Sequence, residues 1–157
     1  MGDARRFDAF ADLIVRNVAP ETAIADVAGG KGGLMAALYR RQYRNVESWD
    51  KRHKNAQGRR GYQYGYFDWR SAPRHYGCVV GMHADEATDH VVMYALKHRV
   101  PFILCPCCVK PNAAKFTGNQ YEPWIKHLGD IARIGGYNVI ETALPIHGRS
   151  RVLIGRP

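Results

Sequence analysis

A glycine-rich loop between two apolar runs constrains this chain more than any other feature of its sequence. Residues 23–27 form a short apolar run with an acidic residue, Asp26, near its end. Residues 29–33 hold four glycines around one lysine, and residues 34–38 begin an apolar helical pattern. Glycine lets the backbone turn sharply and lets a ligand approach where a Cβ would clash. Because the free N–H groups of the following helix point toward the same place, the segment predicts a nucleotide-type ligand site.

Two common nucleotide-binding patterns do not fit this loop. A P-loop requires Ser or Thr directly after its lysine to hold Mg²⁺, but Lys31 is followed by Gly32. The dinucleotide pattern G-x-G-x-x-G, started from Gly30, would need a small residue at the position of Met35. The pattern that fits is acidic-x-small-x-Gly-x-Gly, which is formed by Asp26, Ala28, Gly30 and Gly32.

This pattern resembles motif I of the class I S-adenosylmethionine (SAM)-dependent methyltransferases. Ala28 stands where the motif usually has its first glycine, and this replacement requires a negative φ at Ala28. A second acidic residue supports the resemblance, because Asp50 ends the predicted strand 46–50, 18 residues after Gly32. A carboxylate there can accept hydrogen bonds from both ribose hydroxyls of a nucleoside. An ordinary turn and a solvated acid would explain each feature alone, but the two at this spacing favour a nucleoside site.

Strand and helix patterns alternate along the rest of the chain. Apolar residues at helical spacing predict helices over 7–18, 34–43, 91–96 and 124–134. After the strand at 23–27, further strands are expected at 46–50, 61–67, 76–82, 100–105, 139–144 and 151–154. The stretch 51–61 lacks apolar periodicity and predicts a loop. This order predicts an α/β fold: a doubly wound, mostly parallel seven-stranded Rossmann-like sheet with a C-terminal antiparallel hairpin, in one domain over 1–157.

The chain carries a large positive charge. Its formal net charge is +9, which makes RNA or DNA the leading class of partner. Basic residues concentrate directly after Asp50, and those expected to contact nucleic acid are Lys51, Arg52, Lys54, Arg59 and Arg60. A solubility charge spread evenly over the surface is the alternative, and this clustering argues partly against it.

Cysteine use and hydropathy indicate a cytoplasmic protein without a membrane partner. No apolar run approaches the length of a membrane span, and the first residues lead into an amphipathic helix without a secretory signal. Three of the four cysteines cluster as Cys105, Cys107 and Cys108, which is not a disulfide framework. Such usage is typical of a reducing compartment.

Two further stretches narrow the resemblance. Residues 81–89 read G-M-H-A-D-E-A-T-D, and the strand at 100–105 is followed by P-C-C. This combination is similar to the branch that contains the eukaryotic acceptor-stem tRNA 2′-O-methyltransferases and related methyltransferase-like proteins. The Lys and the Cys-Gly pair that the branch usually carries before A-T-D are absent here. The resemblance implies SAM as cofactor and an RNA substrate (tRNA or rRNA), methylated on a ribose hydroxyl or a base atom. Because no separate RNA-binding domain is visible in the sequence, a partner subunit is expected to supply target choice.

The resemblance also implies roles for individual residues. The methionine and ribose portion of SAM would be lined by Ala28, Gly29, Gly30 and Gly32, with Asp26 beneath the loop. The ribose diol would be bound by Asp50, and the adenine by Asp68 and Trp69 at the end of the third strand. The sulfonium methyl and the acceptor would be faced by His83 and Asp85. Trp69 as a cap on the core is an equal alternative.

Methyl transfer to a hydroxyl or ring nitrogen requires removal of one proton, and His83 has a suitable intrinsic pKa for a base. A supporting or helix-capping role for His83 stays open. Cys107 or Cys108 as a nucleophile for cytosine C5, and zinc held by the cysteines with a histidine, are two weaker alternatives. Free thiols packed at a strand end are the leading interpretation, and no metal is expected.

Two other functions compete with an RNA methyltransferase. A SAM-fold protein without catalysis could bind RNA or assist assembly, although the glycines and Asp50 argue that ligand binding survives. A small-molecule methyltransferase is the other alternative, but a charge of +9 gives no advantage with a neutral substrate.

Overall fold

The predicted strands assemble into one sheet. The computed structural model describes residues 3–109 and 120–157, and seven strands lie within them. The strands are β1 (Ile24–Val27), β2 (Val46–Asp50), β3 (Tyr62–Tyr64), β4 (Cys78–Met82), β5 (Phe102–Cys105), β6 (Asn138–Ala143) and β7 (Arg151–Arg156). The helices are α1 (Arg6–Asn17), α2 (Gly33–Arg40), α3 (Thr88–His98) and α4 (Tyr121–Ile134). Across these described residues, no helix combines the length and the apolar character needed to cross a membrane.

The sheet order is β3-β2-β1-β4-β5-β7-β6. The first five strands are parallel to their neighbours, whereas β7 runs antiparallel to both β5 and β6. The predicted α/β fold, with a mostly parallel sheet and a C-terminal antiparallel hairpin, is confirmed. Because the strand order reverses between β1 and β4, their carboxyl ends flank the crevice where open α/β sheets bind ligands.

Helices cover both faces of the sheet. Alternate residues of a strand point to opposite faces, so Val80 of β4 packs with the α1 and α2 side chains while its neighbour Val79 packs with α3 and α4. All five residues of β4 are buried, as expected of a central parallel strand that is covered on both sides. This double packing holds the carboxyl ends of β1 and β4 rigidly in place.

Two predicted elements end three residues earlier in the structure than expected. The helix expected to reach residue 43 ends at Arg40, because Gln42 adopts a left-handed φ of +69° that a helix cannot continue. The strand expected over 61–67 ends at Tyr64, so Asp68 does not follow a strand directly. The stretch after β2 contains only a single 3₁₀ turn, Lys54–Ala56, which confirms the predicted loop.

Candidate functional site

The glycine loop joins β1 to α2 and is tied to the end of β2. The Gly29 N–H donates to the Trp49 carbonyl at 2.9 Å, and the Gly32 N–H donates to the Gly29 carbonyl at 3.0 Å. Gly30 and Gly32 have φ angles of +61° and +87°, which L side chains rarely adopt. The backbone torsion therefore favours glycine at these two positions.

Ala28 also adopts a left-handed conformation, with φ of +57°. The requirement for a negative φ at this position is therefore not met. The loop leaves the sheet at Ala28, and the turn toward Gly29 demands the conformation that the usual glycine of motif I would adopt freely. An alanine in this region is strained by about 1–2 kcal/mol relative to a right-handed one.

Ala28→Gly is expected to raise the free energy of unfolding by about 0.5–1 kcal/mol. Relief of the strain at Ala28 exceeds the extra conformational entropy that glycine brings to the unfolded chain. Urea unfolding of the two proteins measures the difference. Ala36→Gly is the matched control, because Ala36 is exposed on α2 and its replacement should lower stability by about 1 kcal/mol. If both substitutions lowered the free energy of unfolding, the proposed strain at Ala28 would be contradicted.

Asp50 links the second strand to the glycine loop. Its Oδ2 accepts the Gly30 N–H at 2.9 Å, and its Oδ1 accepts the Arg52 N–H at 2.7 Å. The Arg52 Nε lies 3.5 Å from Oδ1, and the Asp50 side chain is only 1% exposed while that of Arg52 is 57% exposed. The sequence placed Asp50 at the end of β2, and the structure adds that this carboxylate holds the loop in position.

Asp26 is a second buried carboxylate beside the loop. Its Oδ2 accepts a hydrogen bond from Ser48 Oγ at 3.0 Å. The pKa of Asp26 is raised to about 7, mainly by burial and to a lesser extent by the charge of Asp50, while the bond from Ser48 acts in the opposite direction. Asp26 therefore carries only part of its charge at neutral pH.

Two cavities flank the glycine loop. The larger one has a volume of about 570 Å³ and is lined by the loop, Asp26, Met82 and His83. The smaller one has a volume of about 30 Å³, enough for about two water molecules. Its walls include Asp50, Trp49, residues 65–67 and residues 84–87, whereas Asp50 does not line the larger cavity. Ala28 lines both cavities and marks the boundary between them.

His83 and Asp85 follow β4 with left-handed φ angles of +56° and +51°. The His83 ring lies with Nε2 3.2 Å from the Arg149 carbonyl, which can only accept, so Nε2 carries the proton and Nδ1 keeps a lone pair. Burial lowers the pKa of His83, which favours the neutral ring that a base requires. His83 lines the larger cavity and Asp85 lines the smaller one, so the structure places them at different cavities.

Asp68 and Trp69 line neither of these two cavities. Asp68 accepts the Arg70 N–H at 2.9 Å, which lowers its pKa. The Trp69 ring packs on the core under the Arg70 guanidinium and the Lys97 ammonium, at 5.1 and 5.7 Å from their charged atoms. Because β3 ends four residues before Asp68, both residues lie in the segment after the strand and not at its end.

Tyr66 lines the smaller cavity, although no role was predicted for it from the sequence. His90, which is 4% exposed, accepts the Trp69 N–H at its Nδ1 at 3.2 Å. The proton of the neutral ring therefore lies on Nε2, 3.0 Å from the Tyr66 hydroxyl, so the hydroxyl accepts from His90 and keeps its own proton to donate. The aromatic run 62–67 was a usable signal for Tyr66, but the partnership with His90 on α3 was not visible in the sequence.

The basic segment after β2 borders both cavities. Arg52 and Arg59 line the larger cavity, where Arg6 and Lys31 join them. Lys51 lines the smaller cavity, lies over the Tyr66 ring and pairs with Glu86 at 2.5 Å. The two remaining basic residues predicted to contact nucleic acid, Lys54 and Arg60, are exposed.

No protein-family model and no curated protein matches the chain, but solved structures do. A precorrin-6y C5,15-methyltransferase from Geobacter metallireducens has a TM-score of 0.64 at 9% identity over 96% of this chain and 87% of its own. A SAM-dependent methyltransferase from Aquifex aeolicus has a TM-score of 0.59 at 10% identity, with 98% and 93% covered. The magnesium protoporphyrin IX methyltransferase of Synechocystis PCC 6803, solved with S-adenosylhomocysteine (SAH), has a TM-score of 0.58 at 14% identity, with 98% and 83% covered. At these identities the comparison establishes the fold.

Proposed function

We propose that this chain is a SAM-dependent methyltransferase that acts on RNA. The main support for this cofactor is the hydrogen bond from the Gly30 N–H to Asp50. It joins the glycine loop, which lines the larger cavity, to an acidic residue that lines the smaller one. These features lie at the carboxyl ends of β1 and β2, the expected ligand edge of such a sheet. The likeness of the fold to named methyltransferases supports the same proposal.

The residues around the loop have the chemical character that SAM binding requires. A Cβ on Gly30 would have no neighbour closer than 3.9 Å, so this backbone is open to the larger cavity. The methionine portion would be held there, the ribose at Asp50, and the adenine in the smaller cavity beside Tyr66. Asp50 is almost wholly covered, and the smaller cavity now has room for only about two water molecules. Binding of a nucleoside therefore requires this cavity to widen, and the exposed side chain of Arg52, which lines both cavities, must move aside.

SAM, when bound, supplies an activated methyl group, so the protein has to align the acceptor and remove one proton. Neutral His83 is the base in this proposal, with its Nδ1 lone pair as the proton acceptor. Its left-handed backbone is the kind of strain that is retained at functional sites. Asp85 is the second candidate catalytic group, on the side of the smaller cavity.

RNA is proposed as substrate because four cationic side chains, Arg6, Lys31, Arg52 and Arg59, line the larger cavity. With Lys54 and Arg60 exposed nearby, this surface suits a phosphate backbone better than a neutral small molecule. A partner subunit for target choice is part of the proposal. The second candidate function is RNA binding through this surface without catalysis. The same basic residues would contact the RNA in that case.

Calorimetric titration with SAM and SAH tests the cofactor. We expect micromolar binding to the wild type and binding weakened by about 10-fold or more in Asp50→Asn, because a charged hydrogen-bond acceptor contributes roughly 1.5–3 kcal/mol. Asp68→Asn is the matched control, since Asp68 lines neither cavity, and it should bind like the wild type. Circular dichroism must show both variants folded.

Absence of binding to the folded wild type would overturn the proposed cofactor. RNA binding without catalysis would then be the better-supported function. Equal weakening by Asp50→Asn and Asp68→Asn would overturn the placement of the site. Transfer of labelled methyl groups to total RNA, compared with His83→Ala, then tests the substrate. RNA binding that does not weaken with salt would contradict the role of the basic surface.

A further inference from the structure

Three potential metal ligands converge where β4 and β5 end. Asp85 follows β4, whereas Cys107 and Cys108 follow β5, and one ligand atom from each lies within 4.8 Å of the other two. Cys107 Sγ is 3.4 Å from Cys108 Sγ and 3.5 Å from Asp85 Oδ1. Among the residues that the structure describes, this is the one such group of three.

These spacings are close to the edges of a tetrahedral zinc site. Zinc bonds of about 2.3 Å to sulfur and about 2.0–2.2 Å to carboxylate oxygen separate two sulfurs by roughly 3.8 Å and a sulfur from an oxygen by roughly 3.5 Å. The Cys107–Asp85 separation already has this length, and the two sulfurs need to part by only a few tenths of an ångström. Asp85 is half-buried and Cys108 is exposed, so an ion can enter from solvent.

We propose that Asp85, Cys107 and Cys108 bind one Zn²⁺ ion. Two thiolates with one carboxylate suit a borderline-soft ion, whereas Mg²⁺ and Ca²⁺ prefer oxygen ligands alone. Binding converts both thiols to thiolates and releases two protons. Three ligands leave a fourth position for water or for a donor atom of a substrate, as in open zinc sites.

The site differs from the one considered on sequence grounds. Cys105 is not part of it, because its buried Sγ points to the Arg149 carbonyl at 3.7 Å. Asp85, contributed by the neighbouring strand, takes the place given to a histidine. Because His83 and not Asp85 is the proposed base, ion binding at these three side chains stands or fails independently of that step. An Asp85 carboxylate that holds zinc would not act on the methyl acceptor.

Metal uptake by the reduced, chelator-treated chain tests the site. With a chromophoric zinc indicator, we expect one Zn²⁺ per chain, bound more tightly than micromolar. Co²⁺ should give the intense visible bands of a tetrahedral ion and a thiolate-to-cobalt charge-transfer band. Cys108→Ser and Asp85→Asn should each weaken binding by at least about 100-fold, because loss of even an outer-shell partner costs 10–100-fold. Cys78→Ala, which removes a buried thiol outside the cluster, is the matched control and should bind like the wild type.

Failure of the wild type to take up one equivalent would overturn the site. So would Cys108→Ser binding as tightly as Cys78→Ala, or a cobalt spectrum of octahedral type. Since the assay contains no SAM and no RNA, these outcomes are distinguishable from a failure of the proposed function. Cys108 is exposed, so its replacement is not expected to disturb the fold, and a thermal melt of the variant checks this.

Discussion

Gly29→Ala is expected to lower the free energy of unfolding by more than about 3 kcal/mol, or to prevent folding. Its φ lies outside the left-handed region, so the effect is steric: an added Cβ would overlap Ser48 Oγ and Asp26 Oδ2 and lie 2.8 Å from Asp26 Cγ. Both side chains are short, buried and hydrogen-bonded to each other, so neither can move aside. The loop cannot retreat without losing the bond from the Gly29 N–H to Trp49. Chemical denaturation measures the loss.

Two control substitutions, at Gly65 and Gly30, separate the steric overlap expected at Gly29 from the effect of replacing any glycine by alanine. Gly65→Ala should be almost neutral, because a Cβ there has no neighbour closer than 3.8 Å and its φ is ordinary. Gly30→Ala should lose about 1–2 kcal/mol through its φ of +61° alone, since a Cβ would have nothing nearer than 3.9 Å. If Gly29→Ala lowered the free energy of unfolding by no more than Gly30→Ala does, the predicted steric overlap with Ser48 and Asp26 would be contradicted.

Asp26→Asn should raise the free energy of unfolding at pH 8 by about 2–4 kcal/mol and leave it almost unchanged at pH 4. The pKa of Asp26 is about 7 in the folded chain and 3.8 as its ordinary value. Between these values the folded state binds more protons than the unfolded state, so this group makes stability fall as pH rises from about 4 to 7. Asparagine keeps an acceptor for Ser48 and removes the buried charge. Urea unfolding at several pH values measures both curves.

Asp130→Asn is the control for the pH dependence of Asp26. Asp130 is paired with Lys126 on the surface, and that bond lowers the pKa of its carboxyl group. Ionised Asp130 therefore stabilises the folded state. This stabilisation is fully present above the ordinary pKa of the group and is lost as the pH falls, which is opposite to the effect of Asp26. A wild-type curve that does not fall between pH 4 and 7, together with no gain from Asp26→Asn at pH 8, would contradict the buried, neutralised state of Asp26.

The sheet and the glycine loop were predictable because their signals are local. The apolar run before Asp26, the spacing of the glycines and the strand ending at Asp50 each occupy a few consecutive residues. Parallel α/β topology then brings their ends to one edge, so the proximity of Asp50 to Gly30 follows from connectivity.

The rest of the site depends on contacts between distant segments. β3 was predicted too long because its aromatic run continues past Tyr64, yet Tyr66 and Phe67 leave the sheet to pack at the smaller cavity. The left-handed angle of Ala28 is set by the turn that the loop must make, which no property of alanine signals. The meeting of Asp85 with Cys107 across two strand ends is likewise a product of the fold.

The left-handed angles of Ala28, His83 and Asp85 have a practical consequence for engineering this chain. Replacement by glycine at such positions is a common way to stabilise a protein, because it relieves backbone strain without requiring any new contact. Here all three lie beside the same two cavities, so thermostability gained at these positions would come from loosening the backbone that carries the candidate reactive groups. At these three residues, a gain in heat resistance is therefore expected to lower the proposed methyl transfer. Residues of α4 and β6 line neither cavity, so substitutions there should not have this effect.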